Sequence, residues 1–157
     1  MRFFGVILWL LSLNAAAFDG LVIDVHDGDS LTVLNEQGAA EKIRLHRADT
    51  PELKGTKWAY QPYAAEARSS LLNLCGGKIA SITRHGQDRY HRSLGDINCQ
   101  GHDVARWQID NGAAWAYRWA SLKALRNAQA SAKAKGLGLW ALPKPVEPYL
   151  WRKDRMH

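Results

Sequence analysis

Four side chains suited to acid-base and phosphate chemistry follow one another near the front of the chain: Asp29, Arg44, Asp49 and Glu52. Carboxylates are good ligands for a hard cation such as Ca²⁺, and a separate glutamate suits a water molecule. An arginine suits a phosphate, because its planar fork donates two parallel hydrogen bonds and stays charged. A phosphodiester is anionic and resists attack by water, so its hydrolysis requires these functions together. The residue types therefore favour metal-assisted phosphodiester chemistry.

The first segment has the order of a secretory signal peptide. Arg2 precedes an apolar run over residues 3–13, and Ala15-Ala16-Ala17 follows it. This run is shorter than the roughly 20 apolar residues that span a bilayer, although an uncleaved anchor remains an alternative. We expect cleavage after about Ala17 and export to the periplasm or the medium. The domains expected are a signal peptide over 1–17, one folded domain over 18–142 and a Pro-rich tail over 143–157.

The formal net charge of the chain is +6. A basic balance suits a polyanionic partner, whereas an ordinary solvated basic surface is the alternative. The two cysteines, Cys75 and Cys99, belong to a chain addressed to an oxidising compartment, so a disulfide is a reasonable hypothesis. A predicted hairpin between them would bring them together, and two separate buried thiols are the alternative.

Hydrophobic periodicity predicts an α+β fold. Alternating apolar residues predict three strands, around 21–25, 31–33 and 43–45, and helical spacing predicts a helix over 63–74 that Gly76-Gly77 ends. Two further strands (78–84 and 92–98) and two helices (104–111 and about 121–135) follow. This order favours a five-stranded OB-type barrel with about three α-helices, a fold that commonly binds nucleic acid. The prolines of 143–148 predict a non-helical run along the surface, which Trp151 pins to the body.

Other metal sites are disfavoured by spacing. The segment from Asp24 to Glu36 lacks the glycine and terminal glutamate of an EF-hand loop. The histidines show no helical pair or metal-binding repeat, which argues against structural zinc; those considered are His26, His46, His85, His91 and His102. Among the tryptophans, Trp107, Trp115 and Trp140 are expected in the core, and Trp58 and Trp119 on a nucleic-acid surface.

The ordered motifs resemble those of the staphylococcal (micrococcal) nuclease family, also called thermonucleases. The resemblance covers roughly residues 20–141, and each motif is weak alone but specific in this order. The motifs are Val25-His26-Asp27-Gly28-Asp29-Ser30, Ile43-Arg44-Leu45, Asp49-Thr50-Pro51-Glu52, Gln61-Pro62-Tyr63, Asp88-Arg89-Tyr90-His91-Arg92, Gly101-His102-Asp103-Val104, Gly112-Ala113-Ala114-Trp115 and Gly138-Leu139-Trp140.

The resemblance implies an OB-fold nuclease that uses Ca²⁺ to hydrolyse DNA and RNA to 3′-phosphate products. We also expect a preference for single strands, a monomer, and no membrane association after signal cleavage. Low sequence specificity is expected because phosphate-directed contacts carry no base information. The roles that the resemblance implies are as follows: Asp29, Asp49 and the Thr50 carbonyl bind Ca²⁺; Glu52 activates or orients water; Arg44 and Arg92 bind the scissile phosphate; and Arg89, Tyr90 and Tyr117 contact terminal phosphate, sugar or base.

Among the departures from the family pattern, the one at His91 bears most on a proposed site residue. His91 replaces the usual glycine in the turn before Arg92. If that turn requires a positive φ, a histidine there is destabilising by about 1 kcal/mol. Two other functions remain open: an OB module that binds nucleic acid without cutting it, and a basic exported protein that binds another polyanion or an envelope partner. The presence of all five proposed catalytic and metal-binding side chains favours the enzyme.

Overall fold

A computed structural model describes residues 17–53 and 60–154 of the chain. The predicted signal peptide, up to residue 16, and the surface tryptophan Trp58 lie outside the described residues. Within these ranges, no helix combines the length and the apolar character required to cross a membrane.

Five of the strands form a closed barrel. They lie in the order β3-β2-β1-β5-β6, and a parallel pairing of β3 with β6 closes the barrel, while the other neighbours are antiparallel. The predicted α+β fold with a five-stranded OB-like barrel is therefore confirmed. The strands are β1 (Ala17–Val25), β2 (Ser30–Asn35), β3 (Ala40–Leu45), β4 (Ala48–Asp49), β5 (Ile79–Gln87), β6 (Ser93–Cys99), β7 (His102–Asp103) and β8 (Trp115–Ala116).

Four α-helices surround the barrel in the described part of the chain, where about three were predicted. They are α1 (Ala64–Cys75), α2 (Val104–Asp110), α3 (Lys123–Ala134) and α4 (Pro148–Asp154), and a 3₁₀ helix spans Gly138–Ala141. The additional helix, α4, begins at the last proline of the run that was expected to be non-helical. Proline is tolerated in the first turn of a helix, because its missing N–H has no intrahelical acceptor there.

The barrel interior is filled by alternating strand residues. In β2, Leu31 and Val33 are fully buried, as the period of two predicts. Leu71 of α1 is also fully buried, so this helix covers the barrel with the face that helical spacing indicated. Of the predicted core tryptophans, Trp115 is buried and its ring packs edge-on against Trp140 at 4.9 Å, while Trp107 packs against the core.

A disulfide bond joins the ends of two elements. It links Cys75, the last residue of α1, to Cys99, the last residue of β6, and both are fully buried. Cys99 lies opposite Ala80 on β5, so the β5–β6 hairpin carries it back to the end of α1. The bond spans a sequence separation of 24 residues, and closing such a loop contributes about 3 kcal/mol to the free energy of unfolding.

Candidate active site

The turn between β1 and β2 gives its two aspartates different environments. Oδ1 of Asp27 accepts hydrogen bonds from the backbone N–H of Asp29 at 3.1 Å and from the hydroxyl of Ser30 at 2.6 Å. Burial opposes ionisation of Asp27, but these hydrogen bonds and the charge of Arg44 lower its pKa below the ordinary value. Asp27 therefore holds the turn as an anion, and the carboxylate of Asp29 points to other partners.

Gly28, which the sequence motif includes, and Gln108, which the sequence did not reveal as part of the site, fix this turn. A Cβ on Gly28 would lie 2.8 Å from Cβ of Ala67 and 2.9 Å from Oγ1 of Thr50, so the turn has room only for glycine. Fully buried Gln108 of α2 donates from Nε2 to the carbonyls of Gly28 at 2.7 Å and Ala67 at 3.0 Å. The available signal was a polar glutamine beside the apolar Ile109 in a predicted helix.

Arg44 connects the two candidate metal-binding aspartates. Its Nη1 donates to Oδ1 of Asp29 at 2.5 Å, and its Nη2 donates to Oδ1 of Asp49 at 2.6 Å. The backbone N–H of Thr50 donates to the other oxygen of Asp29 at 3.0 Å. Asp29 directly precedes β2, and Arg44 of β3 lies opposite Ser30, the first residue of β2. The β2–β3 register therefore brings Arg44 to Asp29, and Asp49 ends β4, the short strand that follows β3.

The cluster holds negative charge in a place with little solvent. Asp29 is 2% and Asp49 3% exposed. Burial raises the pKa of Asp29 well above its ordinary value, Arg44 opposes that shift, and the carboxylates of Asp27 and Asp49 add to it. Burial also acts against the charge of Arg44, but Asp29 and Asp49 raise its pKa above the ordinary value. A cation that bound here would stabilise the ionised form of Asp29.

Glu52 belongs to the same cluster through a second arginine, Arg152 of α4. Arg152 donates from Nη2 to Oδ2 of Asp49 at 2.8 Å, from Nη1 to Oδ1 of Asp49 at 3.1 Å, and from Nη1 to Oε1 of Glu52. The backbone N–H of Glu52 donates to Oε1 of Gln61 at 3.0 Å. Sequence reasoning missed Arg152, and it quoted Gln61 within a motif without giving it a role.

The β5–β6 hairpin holds Arg92 at its turn. Nε of Arg92 donates to Oδ2 of Asp88 at 2.7 Å, and Oδ1 of Asp88 accepts the backbone N–H groups of Tyr90 and Arg92. Burial works against ionisation of Asp88, yet these hydrogen bonds lower its pKa. His91 has φ of 59°, the left-handed conformation that favours glycine. Over the ranges described, no ion pair or hydrogen bond joins Arg92 to the carboxylates around Arg44.

The candidate substrate-contacting residues lie in two places. On the hairpin, the guanidinium of Arg89 lies 4.8 Å from the ring centroid of Tyr90, whose side chain is 63% exposed. In the segment after β8, the backbone N–H of Tyr117 donates to the carbonyl of Arg47 at 2.8 Å, and its ring packs edge-on against Trp119 at 5.3 Å. Trp119 is exposed, as expected for a surface tryptophan.

A histidine cluster forms beside the barrel although no metal-binding repeat marks it in the sequence. Ligand atoms of His46, His85 and Asp96 lie within 4.8 Å of one another. The two imidazole rings are stacked at 4.6 Å and tilted by only 28°, so their in-plane lone pairs do not converge on one point. Asp96 already accepts hydrogen bonds from Nε of Arg47 at 2.6 Å and Nε2 of His85 at 2.8 Å. This geometry is that of an ion-pair network that joins the end of β3 to the β5–β6 hairpin.

Comparisons with known proteins indicate the family of the chain. The model of the staphylococcal nuclease homologue family matches residues 42–142. An uncharacterized endonuclease of Haemophilus influenzae is 35% identical over 134 residues, which cover 85% of this chain and 72% of that protein. An uncharacterized endonuclease of Escherichia coli is 31% identical over 155 residues, which cover 96% of this chain and 97% of that protein.

A plant relative matches over a smaller share of its own length. A staphylococcal-like nuclease of Arabidopsis thaliana is 37% identical over 124 residues, which cover 77% of this chain but only 36% of that protein. Nucleases of this kind are typically metal-dependent, which agrees with the buried aspartates around Arg44. On the extent of the family match and of the bacterial relatives, the chain belongs to the staphylococcal nuclease homologue family and is a phosphodiester hydrolase.

Proposed function

We propose that the chain is a Ca²⁺-dependent nuclease that hydrolyses phosphodiester bonds of DNA and RNA and leaves 3′-phosphate ends. The observation that carries the proposal is the fork of Arg44, which spans Asp29 and Asp49 in the cluster that also contains Glu52. It supports the proposal because an arginine suited to a phosphate, two carboxylates suited to a hard cation and a glutamate suited to a base share one cluster.

The donor set fits a hard cation. The side chains of Asp29 and Asp49 and the carbonyl of Thr50 offer oxygen atoms only, and all three residues are buried. The raised pKa of Asp29 fits a site in which a cation offsets an anion that solvent does not reach. When bound, Ca²⁺ would supply positive charge that offsets the negative charge that grows on the phosphate oxygens.

The other catalytic roles belong to side chains of the protein. Arg44 donates hydrogen bonds to the non-bridging phosphate oxygens, and Arg92 adds a second guanidinium from the hairpin. Glu52 accepts a proton from water as the water oxygen bonds to phosphorus. The bond from phosphorus to the 5′ oxygen then breaks, and that oxygen takes a proton from solvent. The products are a 3′-phosphate and a 5′-hydroxyl.

Two tyrosines support a preference for single strands. Tyr90 is exposed beside Arg89, and Tyr117, which is partly exposed, lies in an aromatic group after β8. Aromatic faces stack on bases that are outside a duplex, and phosphate contacts carry no sequence information. We therefore propose low sequence specificity, and we propose a monomeric enzyme on the resemblance to the nuclease family alone.

Export of the enzyme is a separate part of the proposal. The basic residue, the apolar run and the alanines before Phe18 support removal of a signal peptide after about Ala17, and the Cys75–Cys99 bond is compatible with an oxidising compartment. N-terminal sequencing of the protein recovered from the periplasm or the medium tests it. A protein recovered only in the membrane fraction with Met1 retained would contradict it.

The activity is tested by incubating single-stranded DNA with the purified protein in Ca²⁺ or in excess chelator. We expect Ca²⁺-dependent cleavage. The products should carry a 3′-phosphate, so a polymerase should extend them only after a phosphatase has removed it. Glu52→Gln is expected to lower the turnover rate by about 100-fold or more, which is the range of rate contributions for a general base. Glu66→Gln, at an exposed position in the first turn of α1, is the matched control and should keep full activity.

The same assay distinguishes the other functions. Tight retention of DNA without cleavage above the Glu52→Gln level would favour a binding module. Cleavage that chelator does not affect would overturn the metal part of the proposal. If the protein neither retains nor cleaves DNA or RNA, the remaining function is that of a protein that binds another polyanion.

A further inference from the structure

The segment before α4 is attached to the body near the candidate site. Nε2 of Gln61 donates to the carbonyl of Val146 at 2.7 Å. Arg118 forms a two-pronged ion pair with Glu147, and its guanidinium lies 4.3 Å from the ring centroid of Tyr149. Trp119 packs edge-on against the same tyrosine at 5.4 Å. These contacts fix the start of α4, and its next turn then delivers Arg152 to the carboxylates.

Arg152 contacts carboxylate oxygen atoms that a metal ion would coordinate. Oδ1 of Asp49 accepts from both Arg44 and Arg152, and Oδ2 of Asp49 accepts from Arg152. Oε1 of Glu52 accepts from Arg152 as well. Three of the four lone pairs of the Asp49 carboxylate are thereby engaged, including both on Oδ1. A cation that coordinates Asp49 through Oδ1, or through both oxygens, therefore has to displace one of these guanidinium contacts.

Accessibility identifies Arg152 as the group to be displaced. Three carboxylates, those of Asp29, Asp49 and Glu52, contact two guanidiniums, so the cluster keeps an excess of negative charge that a divalent cation can offset. The release of either arginine would raise that excess equally, so charge alone does not distinguish them. Arg152 is the more accessible arginine, with 35% of its side chain exposed against 12% for Arg44. Since a partly exposed ion pair is weaker than a buried one, Arg152 is easier to release.

We propose that Arg152 is a tethered competitor of the divalent cation, held by α4 on Asp49 and Glu52 and withdrawn when the cation binds. This inference rests on the proposed function for the identity of the ion. It makes α4 an autoinhibitory element that raises the cation concentration at which the site fills. It also frees Glu52 only when the metal is present, so that the base and the metal become available together.

The test measures Ca²⁺ binding to the full chain by calorimetry in the absence of nucleic acid. Arg152→Gln is expected to bind Ca²⁺ about tenfold more tightly than the unaltered chain, which corresponds to about 1.4 kcal/mol. Lys153→Gln is the matched control, because it removes a positive charge from the next, exposed position of the same helix and should leave the affinity within about twofold. Adding Asp49→Asn to Arg152→Gln should abolish the gain.

A second measurement follows the helix itself. Hydrogen exchange of the α4 amides should become faster in the unaltered chain when Ca²⁺ is added, and should respond little in Arg152→Gln. Equal or weaker Ca²⁺ affinity of Arg152→Gln would overturn the inference, and so would a lack of Ca²⁺ binding by both proteins. Tighter binding by Arg152→Gln without DNA cleavage by either protein would support the inference and contradict the proposed activity.

Discussion

Nη1 of Arg44 lies 2.5 Å from Oδ1 of Asp29, an aspartate that is almost inaccessible to solvent. The strand register causes this approach, since Arg44 of β3 pairs with Ser30, the residue that follows Asp29. The second nitrogen of the same guanidinium contacts Asp49. One planar group therefore bridges both carboxylates, and in the proposed function the same group binds the phosphate.

We predict that Arg44→Lys lowers turnover by about 100-fold, the usual effect of removing one oriented donor from a charged transition state. An ammonium group lacks the planar fork, so it cannot contact both carboxylates and a phosphate in the same way. Steady-state kinetics on single-stranded DNA with Ca²⁺ measures the loss, and circular dichroism shows whether the barrel persists. Unchanged turnover would contradict the phosphate contact.

Gly28→Ala should damage the site through packing alone. The new methyl group would approach Ala67 and Thr50 within 3.0 Å, so the turn that carries Asp29 has to move. We expect a loss of about 1 to 3 kcal/mol in the free energy of unfolding and a clear fall in Ca²⁺ affinity. Denaturant titration and calorimetry measure the two effects.

Gly20→Ala is the control for that change. Its Cβ would lie 3.0 Å from Cβ of Val33, so it is also tight, but it lies on β1 away from the carboxylates. It should lower stability and leave Ca²⁺ affinity intact. Equal loss of Ca²⁺ affinity in both variants would show that the effect of Gly28→Ala is not local.

His91→Gly should stabilise the protein. His91 has φ of 59°, where a Cβ is destabilising by about 1 kcal/mol and glycine is not. We therefore expect the free energy of unfolding to rise by up to about that amount, reduced by the greater freedom of glycine in the unfolded chain. His91→Ala removes the ring but keeps the Cβ, so it should give no such gain. Equal urea midpoints for the two variants would contradict the backbone explanation.

The sequence predicted those features that depend on local pattern. Strand alternation and helical spacing predicted the barrel strands and three of the helices, since periodicity reports the buried face directly. The hydrogen bonds of Asp27 within its turn are also local chemistry, because an aspartate accepts hydrogen bonds from the residues just after it. The family's usual glycine at position 91 suggested that this turn requires a positive φ. The structure shows a positive φ at His91.

Features that depend on long-range packing could not be predicted. Arg152 contacts Glu52 across 100 residues, and its position depends on how a proline-rich tail lies against Arg118 and Gln61. Nothing in the tail's composition indicates such a path. The approach of His46 to Asp96 likewise depends on the parallel β3–β6 pairing that closes the barrel. The hydrophobic periodicity of one β-strand does not indicate its register with a β-strand far away in the sequence.

The Asp96 network predicts a pH dependence of stability. Burial opposes ionisation of Asp96, but hydrogen bonds from Arg47 and His85 lower its pKa below the ordinary value of 3.8. The folded protein therefore binds the proton less tightly than the unfolded chain. The stabilisation is present at pH above the ordinary value, and it is lost as the pH falls through the lower pKa of the folded state.

Asp96→Asn should accordingly reduce the free energy of unfolding at pH 7 by about 1 kcal/mol, a modest value because the pair with Arg47 is partly exposed. The difference from the unaltered chain should shrink as the pH falls below about 4, where the unaltered carboxyl also becomes neutral. Urea denaturation between pH 3 and 7 measures it, with Asp19→Asn at an exposed position of β1 as the control. A destabilisation of Asp96→Asn that stays constant over this range would mean that the loss comes from packing rather than from the ion pair.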